Sequence, residues 1–288
     1  MKITLKTIVS AGSLGLAICL SFGLLQIPSA FGQAPAGKQA PKGGPARPPD
    51  PRVQQRKYHF ADTNEDLPYA LFVSSKVTKD KKNPLIVALH GLGGDGNSLL
   101  RGNALDLAEE GGYILVGPMG YNVQGWFGSP VIVTGRGGDG KGKSTPEPPN
   151  LTELSEKDVL NVLDLIRKEF SVDEHRTYLM GHSMGGAGAL HMGTKFASTW
   201  AAVASMAPAA FIMQPSILEP VKDSMPLILI HGDADTVVPV DVSRRWNQTA
   251  TSIKMAQFKY LELPGADHGT VITQGVPEIF KFFSMYKK

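Results

Sequence analysis

From position 84 onward the chain alternates between short, almost unbroken apolar runs and longer amphipathic stretches. Residues 84–89, 113–116, 176–180, 201–205, 227–230 and 258–263 are the apolar runs. Runs this short and continuous fit strands buried on both faces, as in a parallel sheet. Residues 98–110 and 155–170 carry a helical period. In the second, Val159, Val162, Leu163, Ile166 and Phe170 form one stripe, Ser155 stands as the cap, and Asp158 falls in the first turn. A further helix opens in the small residues from Gly185 onward. A last one starts at Pro277, with Ile279, Phe282, Phe283 and Tyr286 turned inward. Upstream, residues 58–60 and 67–74 predict an antiparallel pair. The whole pattern predicts an α/β fold, a mainly parallel central sheet with helices on both faces.

Two stretches break the rhythm. The first is the N-terminus, where Lys2 and Lys6 precede a run without charge up to Lys38, apolar from 8 to 27. This reads as a signal peptide over 1–34, with small Gly32 and Ala34 at the −3 and −1 positions of cleavage. The rival is an uncleaved membrane anchor, since the apolar run approaches the ~20 residues that span a bilayer. Residues 35–52, rich in Pro, Gly and Ala, read as a disordered tether. Residues 53–288 then form one domain, long enough for a large core. The second break is 117–150, whose 34 residues include nine glycines. Irregular segments of that length are often binding loops.

Composition narrows the chemistry. Cys19 is the one cysteine and lies in the leader, so the mature chain offers no disulfide, thiolate nucleophile or cysteine-held metal. The net charge of +3 belongs to the N-terminus. Residues 1–52 hold six of the 29 basic residues and one of the 26 acidic ones, leaving 23 against 25, a net of −2. The domain therefore has no nucleic-acid footprint. No metal or phosphate-loop signature is present, and no cofactor is called for.

The candidate chemistry follows the apolar runs. Gly181-His182-Ser183-Met184-Gly185 matches G-x-S-x-G between a strand and a helix, the turn that lifts a nucleophilic serine above a sheet. After 227–230 come Asp233 and Asp235, either of which could orient an imidazole. Asp235 is favoured, with Asp233 as a turn residue. After 258–263 comes His268, a loop histidine placed to act as a base. His182 and His231 read as local packing or hydrogen-bonding groups, and His191, on the helix after the serine turn, as structural. Residues 90–96 form a glycine-rich loop after a strand. It lacks a phosphate-binding pattern, so it reads as the source of an oxyanion donor, the Leu92 N–H paired with the Met184 N–H. The order is loop, Ser183, Asp235, His268.

On these residues the chain resembles the α/β-hydrolase superfamily. Within it, the chain is similar to single-domain esterases of the carboxylesterase, dienelactone-hydrolase-like and polyhydroxybutyrate-depolymerase/feruloyl-esterase-like groups, and also to the catalytic domains of prolyl-oligopeptidase-type peptidases. The resemblance rests on residues 89–94, 181–186, 231–239 and 265–268. It implies the α/β-hydrolase fold, a Ser183–His268–Asp235 triad, and through the pattern His-Gly-x-x-Asp it assigns the acid to Asp235. The expected function is hydrolysis of a carboxylic ester, small or linked to a polysaccharide, by an exported enzyme. A serine peptidase with the same triad and a non-catalytic binding module on the same scaffold are the alternatives. Trp126 and Phe127, in the irregular loop, are either a substrate-facing wall or an anchor that pins the loop to the core.

Overall fold

The computed structural model describes residues 48–131 and 148–288. Eight strands form one sheet. β1 (Gln54–Phe60) and β2 (Glu65–Val73) are the antiparallel pair, with Phe60 opposite Glu65. β2 also runs antiparallel to β4 (Ile114–Pro118). All further pairings are parallel, through β3 (Asn83–Leu89), β5 (Val172–His182), β6 (Ala202–Met206), β7 (Leu227–Gly232) and β8 (Phe258–Leu263). The order across the sheet is β1-β2-β4-β3-β5-β6-β7-β8.

Alternate residues of each strand feed opposite cores. Leu85, Val87 and Leu89 of β3 enter one, and Ile86 and Ala88 the other. The first core takes its helical side from α2 (Leu151–Glu169), α3 (Met184–Lys195) and α4 (Asp241–Ser252), and the second from α1 (Asn103–Gly111) and α5 (Thr270–Ser284). Chain direction explains the division. The β3-to-β4 crossover moves one way along the sheet, and β4-to-β5 returns past β3 and continues the other way to β8. Right-handed crossovers must then put α1 on one face and α2, α3 and α4 on the opposite one. The reversal also leaves a crevice beyond the carboxyl ends of β3 and β5, where open α/β sheets gather functional groups.

Three helix starts differ by several residues from the sequence expectation. The first long helix starts at Asn103 rather than at 98. α5 starts at Thr270, so Pro277 lies inside it instead of at its head. Pro277 has no N–H to give the Thr273 carbonyl, and the Asn103 side chain of α1 donates to that oxygen instead, at 2.8 Å. α2 starts at Leu151, which puts Ser155 in its second turn, and Asn150 rather than Ser155 precedes the helix.

Ser155 is freed from capping to brace the glycine-rich loop after β4. Its Oγ donates to Gly120 O (2.7 Å) and accepts from the Phe127 N–H (2.9 Å). Asp158, one turn on, is fully buried. It accepts from the Tyr58 hydroxyl (2.6 Å), Gly120 N–H (2.7 Å) and Tyr121 N–H (3.2 Å). Burial pushes the Asp158 carboxyl up, and these donors oppose that push without cancelling it. Gly120, Tyr121, Trp126, Phe127 and Gly128 all have positive φ, so the loop is tightly coiled and depends on this external bracing. Asp158→Ala is expected to cost roughly 3 kcal/mol, because it orphans a buried N–H as well as removing a charged acceptor. Urea midpoints measure this, and a loss below about 1 kcal/mol would mean the loop is held by other contacts.

Candidate active site

The turn after β5 decides the geometry of the site. Ser183 has φ 58° and ψ −116°, a conformation rare for a residue with a side chain. The turn is so tight that a Cβ on Gly181 would stand 1.9 Å from Gly185 O, and one on Gly185 2.1 Å from Leu89 O. Glycine at both positions is thus a condition for the turn. Its backbone is secured by the Ser183 N–H donating to Met206 O (2.9 Å), and by Ser183 O accepting from Ala187 and Ala209 N–H (both 3.0 Å). Ser183 sits at the N-terminus of α3, whose partial positive charge favours a developing anion there.

Asp235 and His268 follow β7 and β8, which are neighbours in the sheet, so 33 residues of separation vanish in space. The His268 Nδ1–H donates to Asp235 Oδ2 at 2.7 Å. Asp235 Oδ1 accepts the N–H groups of Val237 (2.8 Å) and Val238 (2.9 Å). Burial pushes this carboxyl up, but hydrogen bonds from His231, His268 and Val238 outweigh it and hold the group well below the usual carboxylate range. Asp235 therefore stays an anion through the working pH range. Asp233, expected to be a turn residue, accepts the Gly265 N–H on Oδ1 (2.7 Å) and so fastens the histidine loop. Asp267 secures the far side, its Oδ1 accepting from Gly269 N–H (2.9 Å) and Thr270 N–H (2.7 Å).

The glycine-rich loop after β3 meets the same turn. A Cβ on Gly91 would lie 3.4 Å from Ser183 Cβ. The buried ring of His90 ties the loop to the segment after β4, its nitrogens 2.8 Å from Gly91 O and 2.9 Å from Met119 O. The Leu92 and Met184 N–H groups donate to no described residue. Phe127 is fully buried, edge-on to the His90 ring at 5.2 Å and close against Gly188, which is the anchor's position and not a substrate wall's. Trp126 is half-buried against the same core.

The structure thus brings Ser183, His268, Asp235 and the Leu92 loop to one edge of the sheet. Ser183 Oγ makes no hydrogen bond to His268. The sequence left His182 and His231 as local packing or hydrogen-bonding groups, without targets. His182 Nε2–H donates to the His268 carbonyl oxygen (2.8 Å), and the two rings lie 4.6 Å apart. His231 Nε2–H is shared between Val238 O (2.9 Å) and Asp235 Oδ2 (3.2 Å), while its Nδ1 accepts from the Ser243 hydroxyl (2.6 Å). Only the spacing of four residues from His231 to Asp235 hinted at such a contact. His191 pairs with Glu156 at 2.6 Å, outside the site. Among the described residues no group of three His, Cys, Asp or Glu side chains is arranged to hold a metal ion.

Residues 63–257 match the family Esterase, described as "Putative esterase". Cutinase 2 of Thermobifida cellulosilytica is 36% identical over 101 residues, 34% of each chain. The crystal structure of a thermostable esterase superposes with a TM-score of 0.61 at 25% identity, covering 82% of this chain and 64% of that one. The ferulic acid esterase AmCE1/Fae1A from Anaeromyces mucronatus has the same fold, with a TM-score of 0.61 at 19% identity over 80% of this chain and 90% of its own. The chain spans less than half the length of the curated relatives it matches.

Burial, followed by the neighbouring His268 ring, lowers His182 to about 4, so it is neutral in the folded chain. The unfolded chain takes up this proton as pH falls below the ordinary 6.5, and the folded chain only near 4. The contribution of His182 to stability is therefore complete above pH 6.5 and is lost as pH falls toward 4. Between pH 7 and pH 5 the loss is roughly 2 kcal/mol. Urea midpoints at the two pH values should show wild type losing that much more than His182→Gln. An equal loss in both would refute a neutral, buried His182.

Proposed function

Because the chain belongs to this esterase family, we propose that it hydrolyses carboxylic esters through a Ser183–His268–Asp235 triad and an acyl-enzyme. The observation that carries the reading is the 2.7 Å Asp235–His268 hydrogen bond beside a strained serine turn. His268 Nε2 accepts the Ser183 hydroxyl proton as Oγ attacks the ester carbonyl. The Leu92 and Met184 N–H groups receive the oxyanion, and the alcohol leaves with the proton returned by His268. Water, deprotonated by the same nitrogen, then attacks the acyl-enzyme, and the acid departs as Ser183 regains its proton. Asp235 keeps the imidazole in the Nδ1–H tautomer and stabilises it when charged.

An apolar or aromatic acyl group suits the surroundings. Five of the six exposed large apolar side chains among the described residues, Leu92, Val123, Phe211, Ile212 and Val237, lie on loops that follow β3, β4, β6 and β7. These loops flank Ser183 on both sides along the carboxyl edge of the sheet. Likeness to a cutinase and a ferulic acid esterase agrees with that reading. Residues 1–34, which lie outside the described residues, support export by their charge and apolarity.

A panel of p-nitrophenyl and feruloyl esters, run beside peptide anilides, tests the function. Ser183→Ala should abolish labelling by a fluorophosphonate and lower kcat by about 10⁶. Asp235→Asn should lower kcat by about 10⁴. Phe211→Asp should raise KM roughly tenfold for long or aromatic acyl groups and leave the acetate ester unaffected. Faster Ser183-dependent turnover of the anilides would instead make the chain a peptidase, and no fluorophosphonate labelling of wild type would make it a binding module. For export, the intact mass of protein recovered outside the cytoplasm should correspond to a chain starting at Pro35. A mass retaining 1–34 would identify an uncleaved anchor.

A further inference from the structure

His182 stands next to the nucleophile in sequence, yet its side chain is turned away toward the histidine loop. Its Nε2 lies 2.8 Å from the carbonyl oxygen of His268, 86 residues away. The ring is buried, and its centroid lies 4.6 Å from the His268 ring. The carbonyl can only accept, so His182 holds its proton on Nε2 and donates. His268 is therefore gripped at two points, its side chain by Asp235 at Nδ1 and its backbone by His182. Both fixtures leave Nε2 of His268 unengaged by the described residues.

We infer that His182 is a positioning residue for the proposed triad, setting the distance between Ser183 Oγ and His268 Nε2 by tying the histidine loop to the nucleophile's own turn. The chain geometry makes this tie unusually direct. Ser183 is carried by the same backbone turn as the donor, so a displacement of the turn moves the base with it. Without the donor, the loop is still fastened to β7 through Asp233 and Asp235, but nothing among the side-chain hydrogen bonds ties it to β5. The serine and its base would then drift independently. Misplacement on the order of 1 Å costs about 10²-fold in rate. A neutral donor also suits the position, since a second cation here would oppose charging of His268 during acylation.

The inference rests on the triad proposed above, and the experiment separates the two. Fluorophosphonate labelling rates and kcat and KM for one ester are measured for wild type, Ser183→Ala, His182→Leu and His182→Gln, with thermal unfolding of each. Gln offers a neutral N–H donor near the position of the imidazole Nε2, whereas Leu offers none. His182→Leu is expected to lower kcat and the labelling rate by about 10- to 100-fold with KM within twofold, in protein that still unfolds cooperatively. His182→Gln should recover activity to within about threefold of wild type. Wild-type labelling rates in His182→Leu, or a His182→Gln variant as slow as His182→Leu although folded, would overturn the positioning role. Labelling that persists in Ser183→Ala, or is absent from wild type, would overturn the triad itself.

Discussion

The site depends on how closely the chain can approach itself between β5 and α3. Packing the first turn of α3 against the ends of β3 and β5 leaves no room for a side chain at Gly181 or Gly185. Ser183, between them, is forced into a conformation that costs of order 1–3 kcal/mol and survives because its surroundings over-determine it. Those surroundings are the main-chain bonds from Ser183 to Met206, Ala187 and Ala209, which fasten the strained residue to β6 and to the helix. Without that closeness the serine would sit in the sheet plane, and the helix N-terminus would point elsewhere.

Around this fixed point the other groups are delivered by loops, each held by an acid, buried at Asp158 and Asp235 and exposed at Asp233 and Asp267. Asp158 braces the segment after β4, Asp235 holds His268, and Asp233 and Asp267 secure the two sides of the histidine loop. Loops must satisfy their own backbone donors, and a carboxylate that accepts two or three N–H groups does so more strongly than a neutral acceptor. The lowered Asp235 and raised Asp158 carboxyls show the two regimes. In the first, donors to the charged form outweigh burial, and in the second, burial wins.

Much of this was legible in the residue pattern, because strands buried on both faces leave a continuous apolar signature and the serine turn demands glycines at fixed spacing. The sheet, the antiparallel pair at its edge and the positions of Ser183, Asp235 and His268 at strand ends all come from such local signals. The failures share a cause. Ser155 looks like a helix cap because a hydroxyl three residues before an acid suits one, yet its partners lie 28 and 35 residues upstream. Pro277 looks like a helix start because proline loses a donor, but Asn103, far off in sequence, supplies the missing bond. His182 and His231 show in sequence as polar residues at strand ends. Their targets become apparent only once β5, β7 and β8 are assembled in one sheet.

That assembly from distant strands has a consequence for how the molecule is made. The proposed base, acid and nucleophile follow three different strands, and the last of them, β8, begins at Phe258. No partial chain ending before that strand holds the complete group, and such long-range pairings form late because loop closure must come first. The proposed triad therefore stays incomplete until the chain has been made past His268. Reactivity of that proposed triad toward an acylating reagent is then a gauge of a sheet completed through β8, whereas the helices α1 to α4 all precede that strand in the chain.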